Sequence, residues 1–392
     1  MKLAWISNYI NHHQIPLCEE FYAALGDGFH FVETRPMEQM RSEMGWGSAA
    51  GQADPAWLIR GYEDPGHADA LVKEADVALV GWAQREDLVA ARMREGRPTI
   101  RLSERIYREG QWKRFSPRGL VHKYNEHIRY RRGPLWLLAI GAYTASDFRL
   151  IGAYPGKIFR WGYFPPFSDR DAEILERAPW GAGARTELVW AGRFLPLKHP
   201  ELALHGVKHL ASTGVDCHLT MIGDGELRED IEKYLMDNNL TDRVTLTGYL
   251  SPEETRERMR HAQILLFNSD HLEGWGAVVI EAMSEGLAVI AGNEAGGPAV
   301  LIRDGINGLL YPGTDEAAFV SCLTRLARDP AEADRMGRAA YAEIRDLWNA
   351  RHAAGELLGF CGHILNGTPY TLPEEGPMSA DPARRPYVRT GG

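Results

Sequence analysis

The sequence predicts an α/β protein with two tandem doubly wound domains, each a parallel sheet with helices on both faces. Short apolar runs alternate with helix-length amphipathic segments along most of the 392 residues, which is typical of βα units. These units form two successive series, separated by a Pro- and Gly-rich connection at 154–183. The chain length also suits two domains of ~100 to 200 residues each.

The first series predicts an N-terminal domain, residues 1–167, with strands at 2–6, 29–33, 77–81, 99–102 and 135–140. The second predicts a C-terminal domain, residues 168–347, with strands at 187–190, 216–222, 244–247, 264–268, 288–291 and 308–311. The boundary falls near Phe167. Two tandem sheets of this kind are expected to place ligands at the carboxyl ends of their strands, in a cleft between the domains.

Beyond Pro330 the pattern becomes helical, through 331–347 and 350–365. The tail at 366–392 holds five prolines and little apolar content, and we expect it to be disordered.

Composition excludes several classes of protein. The chain has 44 Lys and Arg against 53 Asp and Glu, and a net charge of −9 argues against a general nucleic-acid binder. No apolar window reaches the ~18 residues of a membrane span, and the N-terminus turns polar too early for a signal peptide. The four cysteines lack CxxC spacing, which disfavours zinc and disulfides. We therefore expect a cytoplasmic protein.

One segment after the strand at 264–268 combines glycines, a helix start and two carboxylates. It runs from Glu273 to Glu281 and contains the residues that would surround a ligand, Gly274, Trp275, Gly276, Ala277 and Val278. Glycines let the backbone approach a ligand, and free N–H groups at a helix start bind phosphate. The glutamates would then accept hydrogen bonds from sugar or ribose hydroxyls. Alternatively, the glycines form a turn and Glu281 only favours the helix dipole.

A second segment places two cations beyond a strand. Arg193 and Lys198 follow the strand at 187–190 and Gly192. Such cations can neutralise a leaving diphosphate, which lowers the barrier to breaking a glycosyl-phosphate bond. The alternative is solvated surface charge.

Together these segments resemble the C-terminal half of a retaining glycosyltransferase of the glycosyltransferase family 4 type. The likeness covers 187–348 in order and spacing. It continues through a further set of motif residues: Ile222-Gly223-Asp224-Gly225, Gly248-Tyr249, Ala282-Met283, Gly286, Gly296-Gly297 and Asp304-Gly305 with Asn307-Gly308. The resemblance implies the GT-B architecture, with two Rossmann-like domains facing a central cleft and a C-terminal helix, 348–365, that returns to the N-terminal domain.

The resemblance also implies roles for individual residues. Arg193 and Lys198 would hold the donor diphosphate, Glu281 the ribose and Glu273 the donor sugar. Ala277 and Val278 would offer backbone N–H groups to phosphate, whereas Tyr249 and Leu250 lie where the family holds the nucleotide base. Gly192 and Gly223 belong to the same donor-binding set. One departure is Pro298-Ala299, which stands where the family often has Pro-Glu.

The N-terminal half resembles the family less. Its first loop lacks the glycine pair of many relatives and carries His12 and His13, either of which could contact acceptor or donor, or could merely be solvated or cap a helix. Glu104 follows the strand at 99–102, where many relatives have a histidine close to the donor sugar. It is a candidate substrate ligand, and the alternative is a surface carboxylate paired with Arg105.

Residues 85–132 form a basic segment, with 14 Lys and Arg against six Asp and Glu and with interleaved aromatic residues. This composition suits peripheral contact with an anionic membrane, which would place the protein at the inner membrane surface. A nucleic-acid patch would look similar but has no support elsewhere, and a solvated face is the other alternative.

We predict no metal and no cofactor. Asp169-Arg-Asp171 lies in the connection and not after a strand, and Gly223-Asp-Gly225 lacks the third glycine of a dinucleotide fingerprint. The predicted function is transfer of a sugar, with retention, from a nucleotide diphosphate sugar to a saccharide or lipid-linked acceptor hydroxyl, in polysaccharide or glycolipid biosynthesis. The alternatives are a GT-B nucleotide-sugar epimerase, a glycoside hydrolase and a catalytically silent sugar-nucleotide-binding subunit.

Overall fold

The computed structural model describes residues 1–37, 54–176, 178, 180 and 185–384. Contacts divide these residues into two compact units. The first holds residues up to Pro166 together with the described chain from Leu347 onward, and the second runs from Phe167 to Asp346. The first unit is therefore built from two separate stretches of sequence.

The first unit contains a seven-stranded sheet in which all pairs are parallel. Its strands are β1 (Leu3–Ser7), β2 (Phe29–Glu33), β3 (Leu58–Arg60), β4 (Val77–Val80), β5 (Thr99–Ser103), β6 (Leu135–Ile140) and β7 (Ile158–Trp161). Their order is β3-β2-β1-β4-β5-β6-β7. The winding direction reverses between β1 and β4, which is where doubly wound sheets bind ligands.

Among the described residues before 167, the α-helices beside this sheet are α1 (Ile15–Leu25), α2 (Pro65–Glu74), α3 (Glu86–Arg94), α4 (Pro117–Lys123) and α5 (Thr144–Leu150). Helix α4 lies between a 3₁₀ helix, Gln111–Phe115, and a π-helix, Tyr124–Ile128. The start of α2 has Pro65 in its first turn, and Asp64 accepts the His67 N–H at 3.0 Å. Strands β1 and β4 are buried along their whole length, as expected for a parallel sheet covered on both faces.

The second unit contains a six-stranded parallel sheet of order β10-β9-β8-β11-β12-β13. Its strands are β8 (Thr186–Ala191), β9 (Cys217–Ile222), β10 (Val244–Leu246), β11 (Ile264–Phe267), β12 (Ala288–Gly292) and β13 (Leu309–Tyr311). Its helices are α6 (Asp171–Ile174), α7 (Pro200–Ser212), α8 (Arg228–Asp237), α9 (Pro252–Arg260), α10 (Ala277–Ser284), α11 (Pro298–Leu301), α12 (Glu316–Arg328) and α13 (Pro330–Asp346). The winding reverses here between β8 and β11.

Two short strands of the first sheet were absent from the sequence prediction. Strand β3 has three residues, and β7 lies inside the segment 154–183 that the sequence assigned to the connection. That assignment is wrong for β7, since Trp161 is 1% exposed and the strand pairs with β6. Four residues between Pro155 and Pro165 are too few to show a periodicity.

The predicted disorder of the tail is wrong for the residues that the structure describes there. Helix α14 (Ala350–Asn366) packs on the first unit, with Phe360 edge-on to Phe159 at 5.1 Å between ring centroids. Beyond it the chain returns to β7, where Arg160 N donates to Ser379 O at 2.9 Å and Met378 N to Arg160 O at 2.9 Å. Met378 is fully buried, so one apolar side chain and a strand edge order a segment whose composition is polar.

Among the described residues, no helix is both long enough and apolar enough to cross a membrane.

Candidate functional site

The candidate site of the second unit is built from the loops that follow β8, β9, β10 and β11. Carboxyl ends of parallel strands lie at one edge of a sheet, so these loops are neighbours. Glycines join three of them backbone to backbone. A Cβ on Gly223, whose φ is +131°, would lie 1.9 Å from the Gly192 carbonyl oxygen, and Gly223 N donates to Gly248 O at 2.8 Å. Any side chain at Gly223 would force the loops apart.

Two of the predicted donor residues line the loop after β10. Tyr249 is half exposed, and its hydroxyl donates to the Asp224 carbonyl oxygen at 3.1 Å. Leu250 is partly buried beside it. The loop after β10, joined to the loop after β9 by this hydrogen bond, thus carries an aromatic and an aliphatic side chain at consecutive positions.

Lys198 and Glu273 form an ion pair across the loops after β8 and β11. Their side chains are 17% and 18% exposed, and Lys198 Nζ also lies 5.9 Å from the Phe267 ring centroid. Arg193, on the same loop as Lys198, is exposed, and its guanidinium makes no ion pair or hydrogen bond with the described residues. One cation is thus held by a carboxylate, and another is available to an anion.

His199 also links the loop after β8 to the loop after β11. Its Nε2 lies 3.4 Å from Asp270 Oδ2 and its Nδ1 lies 2.7 Å from Glu201 Oε1, while Asp270 N donates to Leu197 O at 3.0 Å. Hydrogen bonds to Asp270 and then Glu201 raise the pKa of His199 to about 9. The imidazole is therefore a cation at neutral pH, beside Lys198.

Helix α10 begins at this edge of the sheet. Gly276, its N-cap, has φ +80°, and a Cβ there would lie 2.5 Å from the Phe267 ring, so only glycine fits. No side chain caps the helix, and in the described chain no acceptor is found for the N–H groups of Ala277 and Val278. Half-buried Glu281 lies about one turn further on. The helix start therefore offers N–H donors, with a carboxylate nearby.

Gly274 and Trp275, both buried, directly precede this helix start. Trp275 is 1% exposed and its carbonyl accepts the Gly297 N–H at 3.0 Å; a Cβ on Gly297 would lie 2.1 Å from the same oxygen. The sequence analysis included Trp275 among the donor contacts, but its indole ring is buried in the loop and is not accessible to a ligand. Only the backbone of Trp275 could contact the donor.

These loops and helix α10 fall inside a match to a known protein family. The model of "Glycosyl transferases group 1" matches residues 176–343. This match covers less than half of the chain. The resemblance found in the sequence is thereby confirmed.

Curated proteins similar to part of this chain are glycosyltransferases. An alpha-D-kanosaminyltransferase of Streptomyces kanamyceticus is 29% identical over 195 residues, which is 50% of each chain. A GDP-mannose-dependent alpha-(1-6)-phosphatidylinositol monomannoside mannosyltransferase of Mycolicibacterium smegmatis is 28% identical over 200 residues, 50% of this chain and 52% of that one. The match thus spans about half the length of these relatives.

Solved structures match over most of the chain. HepE of Anabaena in complex with UDP has a TM-score of 0.65 at 14% identity, covering 91% of this chain and 99% of that one. Sucrose-phosphate synthase of Thermosynechococcus elongatus has a TM-score of 0.63 at 16% identity, covering 94% and 100%. At such identities the likeness concerns the fold. The chain has the GT-B fold, with two Rossmann-like domains, as the resemblance implied.

Outside the group 1 region, the first unit gathers a second cluster of polar and aromatic side chains after its strands. The His13 ring stacks on Tyr163 at 5.8 Å between centroids, and Trp82 lies 6.3 Å from Tyr163. The Tyr163 hydroxyl donates to Glu104 Oε1 at 2.6 Å. His12 is 3.7 Å from His13, ring to ring. Residues after β1, β4, β5 and β7 therefore meet at one edge of this sheet.

The structure corrects one pairing that the sequence considered for this cluster. Glu104 pairs with Arg108 and Tyr163, whereas Arg105 pairs with buried Asp147. Glu104 is thus 13% exposed and belongs to the cluster, not to the open surface.

Sequence reasoning found the cations, glutamates and glycines of the second unit, but it missed four residues. His199 and Asp270 were missed because the sequence of neither loop indicates that these two side chains are in contact. The only local signal was a histidine directly before the Pro200 that starts α7. Trp82 and Tyr163 follow β4 and β7, and β7 was not predicted.

Proposed function

We propose that this protein transfers a sugar from a nucleoside diphosphate sugar to an acceptor hydroxyl, with retention of the anomeric configuration, in polysaccharide or glycolipid synthesis. The observation that carries the proposal is the grouping of Arg193, the Lys198–Glu273 pair and the start of α10 with Glu281 at one sheet edge. A hydrolase needs no diphosphate site of this kind.

In this proposal Arg193 and Lys198 bind the diphosphate, together with the N–H groups of Ala277 and Val278. Their positive charge matters most as the leaving phosphate gains charge. Lys198 already lies against Glu273, so a phosphate oxygen at Lys198 brings the donor sugar beside that carboxylate. Glu273 then accepts hydrogen bonds from sugar hydroxyls and Glu281 from the ribose. Tyr249 and Leu250 flank the base.

The reaction breaks the bond between the anomeric carbon and the donor phosphate oxygen. The acceptor oxygen bonds to that carbon from the same face, and its proton passes to the departing phosphate. No carboxylate is assigned as a nucleophile, since Glu273 is engaged by Lys198. Retention therefore requires no covalent enzyme intermediate.

We assign the acceptor to the first unit, at the cluster of His13, Trp82, Glu104 and Tyr163. Trp82 is 36% exposed, and the faces of sugar rings pack well on aromatic rings. Glu104 accepts hydrogen bonds and is fixed by Tyr163. We expect Glu104→Gln to raise the KM for acceptor about tenfold or more while the Kd for nucleotide stays unchanged, because one charge-assisted hydrogen bond is lost.

The experiment begins with calorimetric titration of UDP, GDP and ADP, followed by transfer assays with sugars of the nucleotide that binds. We expect Lys198→Met and Arg193→Met each to lower transfer about 100-fold or more, because each removes a charge at the leaving group. Lys208→Met, an exposed lysine of α7, is the matched control and keeps full activity.

Nearly normal turnover in Lys198→Met would contradict the assignment. Proton NMR of the first product gives the anomeric configuration, and inversion would exclude retention. Release of free sugar, or a changed sugar still attached to nucleotide, would instead identify a hydrolase or an epimerase. Tight nucleotide binding with no turnover of any kind would favour the silent binding subunit.

A further inference from the structure

The surface segment 110–124 of the first unit carries an unusual concentration of exposed apolar side chains. Five large ones lie in these fifteen residues: Trp112 (67% exposed), Phe115 (71%), Leu120 (42%), Val121 (64%) and Tyr124 (54%). Elsewhere in the described chain, exposed side chains of this size are scattered singly. Contiguous apolar surface of this kind marks a site of interaction.

Local structure aligns these side chains. Trp112 and Phe115 are three residues apart in the 3₁₀ helix Gln111–Phe115, in which side chains three apart eclipse. Leu120 and Tyr124 are four apart across the end of α4 and the start of the π-helix, so they lie on one helix face. Each of these two pairs of apolar side chains therefore lies on one helix face.

The same segment is strongly basic. It contains Lys113, Arg114, Arg118 and Lys123 and no Asp or Glu. The Arg114 guanidinium lies 4.7 Å from the Phe115 ring centroid, and Lys113 Nζ lies 5.9 Å from that of Trp112. Neither Arg114 nor Arg118 forms an ion pair or hydrogen bond with the described residues. Cations therefore lie directly beside the exposed rings.

Buried hydrogen bonds hold both ends of the segment on the unit. At its start, Tyr107 N, just before the segment, and Gln111 Nε2, within it, donate to the carboxylate of Asp147 at 3.0 and 2.9 Å. After it, the buried His127 ring lies 2.7 Å from the Tyr154 hydroxyl, Nδ1 to oxygen. The apolar side chains thus project from a segment that is fixed at both ends.

We propose that residues 110–124 dock this protein on an anionic lipid surface. Trp112, Phe115 and the aliphatic pair Leu120 and Val121 enter the headgroup region, while Arg114 and Arg118 contact lipid phosphates. A nucleic acid would satisfy the cations and could stack on the aromatic rings. It would leave Leu120 and Val121 in water, however, and these are 42% and 64% exposed. A bilayer interface covers all of these groups at once.

The test is co-sedimentation of the full chain with vesicles of phosphatidylcholine alone and of a mixture with about one third phosphatidylglycerol. We expect partitioning at least about tenfold higher on the mixed vesicles, since each cation near an anionic surface contributes about fivefold. Raising the salt to about 0.5 M should reverse most of this preference, because salt screens exposed charges.

Two double variants separate the contributions. Trp112→Ser with Phe115→Ser removes apolar area, and Arg114→Gln with Arg118→Gln removes charge; each should lower partitioning about tenfold or more. All four side chains lie at the surface, so we expect these substitutions to leave folding unaffected. The matched controls Met236→Ser and Lys233→Gln, exposed on α8, leave partitioning unchanged.

Three results would overturn the proposal. Equal binding to both kinds of vesicle would show that the cations do not contribute to binding. Unaltered binding of the double variants would show that residues 110–124 are not the docking surface. Self-association of the chain that disappears in Trp112→Ser with Phe115→Ser would assign the surface to a second copy. Tight binding of single-stranded RNA, with no sedimentation on vesicles, would assign it to nucleic acid. Because none of these measurements involves sugar transfer, their outcome is independent of the proposed function.

Discussion

His199 adopts a backbone conformation that non-glycine residues usually avoid. Its φ of +45° lies in the left-handed region, which costs roughly 1 to 2 kcal/mol for a residue with a Cβ. The ion pairs of its ring with Asp270 and Glu201 offset this cost. One residue thereby joins the loop of Lys198 to the loop of Glu273.

We predict that this junction depends on pH. The pKa of His199 in the folded protein is raised from 6.5 to about 9. Its contribution to stability is therefore complete below pH 6.5 and disappears as the pH rises through 9. The ring is partly exposed, so we expect the free energy of unfolding to fall by about 1 to 2 kcal/mol over this range. Urea denaturation at a series of pH values measures this.

His199→Asn should remove this pH dependence, because asparagine tolerates a positive φ but carries no charge. The control is His209→Asn on α7, the helix that His199 precedes, since His209 makes no ion pair with the described residues. An equally steep decline in His199→Asn would show that another group is responsible.

The positions of the charged candidate residues relative to strand ends and to a helix start could be predicted from the sequence. Arg193, Lys198, Glu273 and Glu281 lie a few residues from β8, from β11 or from the start of α10, and such short spacings can be read directly from the sequence. The partner of His199 could not be predicted, because Asp270 reaches it only through the pairing of β8 with β11. The burial of Trp275 likewise depends on Gly297, in the loop after another strand.

Among elements, α2, α3 and the start of β5 are held together by one buried arginine. Arg92, on α3, is 1% exposed and donates to the carbonyl oxygens of Val72, Ala75 and Pro98 at 2.7, 2.9 and 2.6 Å. The carbonyls at the end of α2 would otherwise be buried without donors. Burial lowers the pKa of Arg92 to about 10, and the side chain stays charged at neutral pH.

We predict that Arg92→Met lowers the free energy of unfolding by about 3 to 5 kcal/mol, because several buried carbonyl groups lose their donor. Arg94→Met, two residues along the same helix on its exposed side, should change it by about 0.5 kcal/mol or less. Chemical denaturation of the two variants is the measurement. A small effect of Arg92→Met would mean that water replaces the guanidinium.

Most elements could be predicted because long buried strands appear as unbroken apolar runs and long helices as amphipathic periods. β1, β4 and β6 are examples. β3 and β7 have three and four residues, and pairing with a neighbouring strand, not their own composition, makes them strands.

At the scale of the whole molecule, the second unit is a continuous insertion in the first. Residues 167–346 form it without a contribution from elsewhere in the described chain, whereas the first unit needs residues on both sides. We predict that 167–346 alone folds cooperatively and binds the nucleotide with a Kd within about threefold of that of the full chain, because every assigned nucleotide contact lies inside it.

Residues 1–166 alone should expose Trp136 and Phe159, which pack on Phe360 of α14, and should therefore be insoluble or partly folded. Circular dichroism and calorimetric titration of both fragments test this prediction. Absence of nucleotide binding by a well-folded 167–346 fragment would contradict the donor assignment to the second unit.

The return of the chain to β7 bears on how the protein avoids aggregation. An edge strand exposes unpaired N–H and C=O groups that another molecule can extend into a shared sheet. Met378 N and Ser379 O pair with the C=O and the N–H of Arg160 on β7. Pro377 and Pro382 lie on either side and have no N–H to donate to a further strand. The prolines that suggested disorder thus help to protect the edge of the sheet, and we expect loss of this short segment to expose β7 to pairing with other molecules while the residues proposed to bind the sugar stay unchanged.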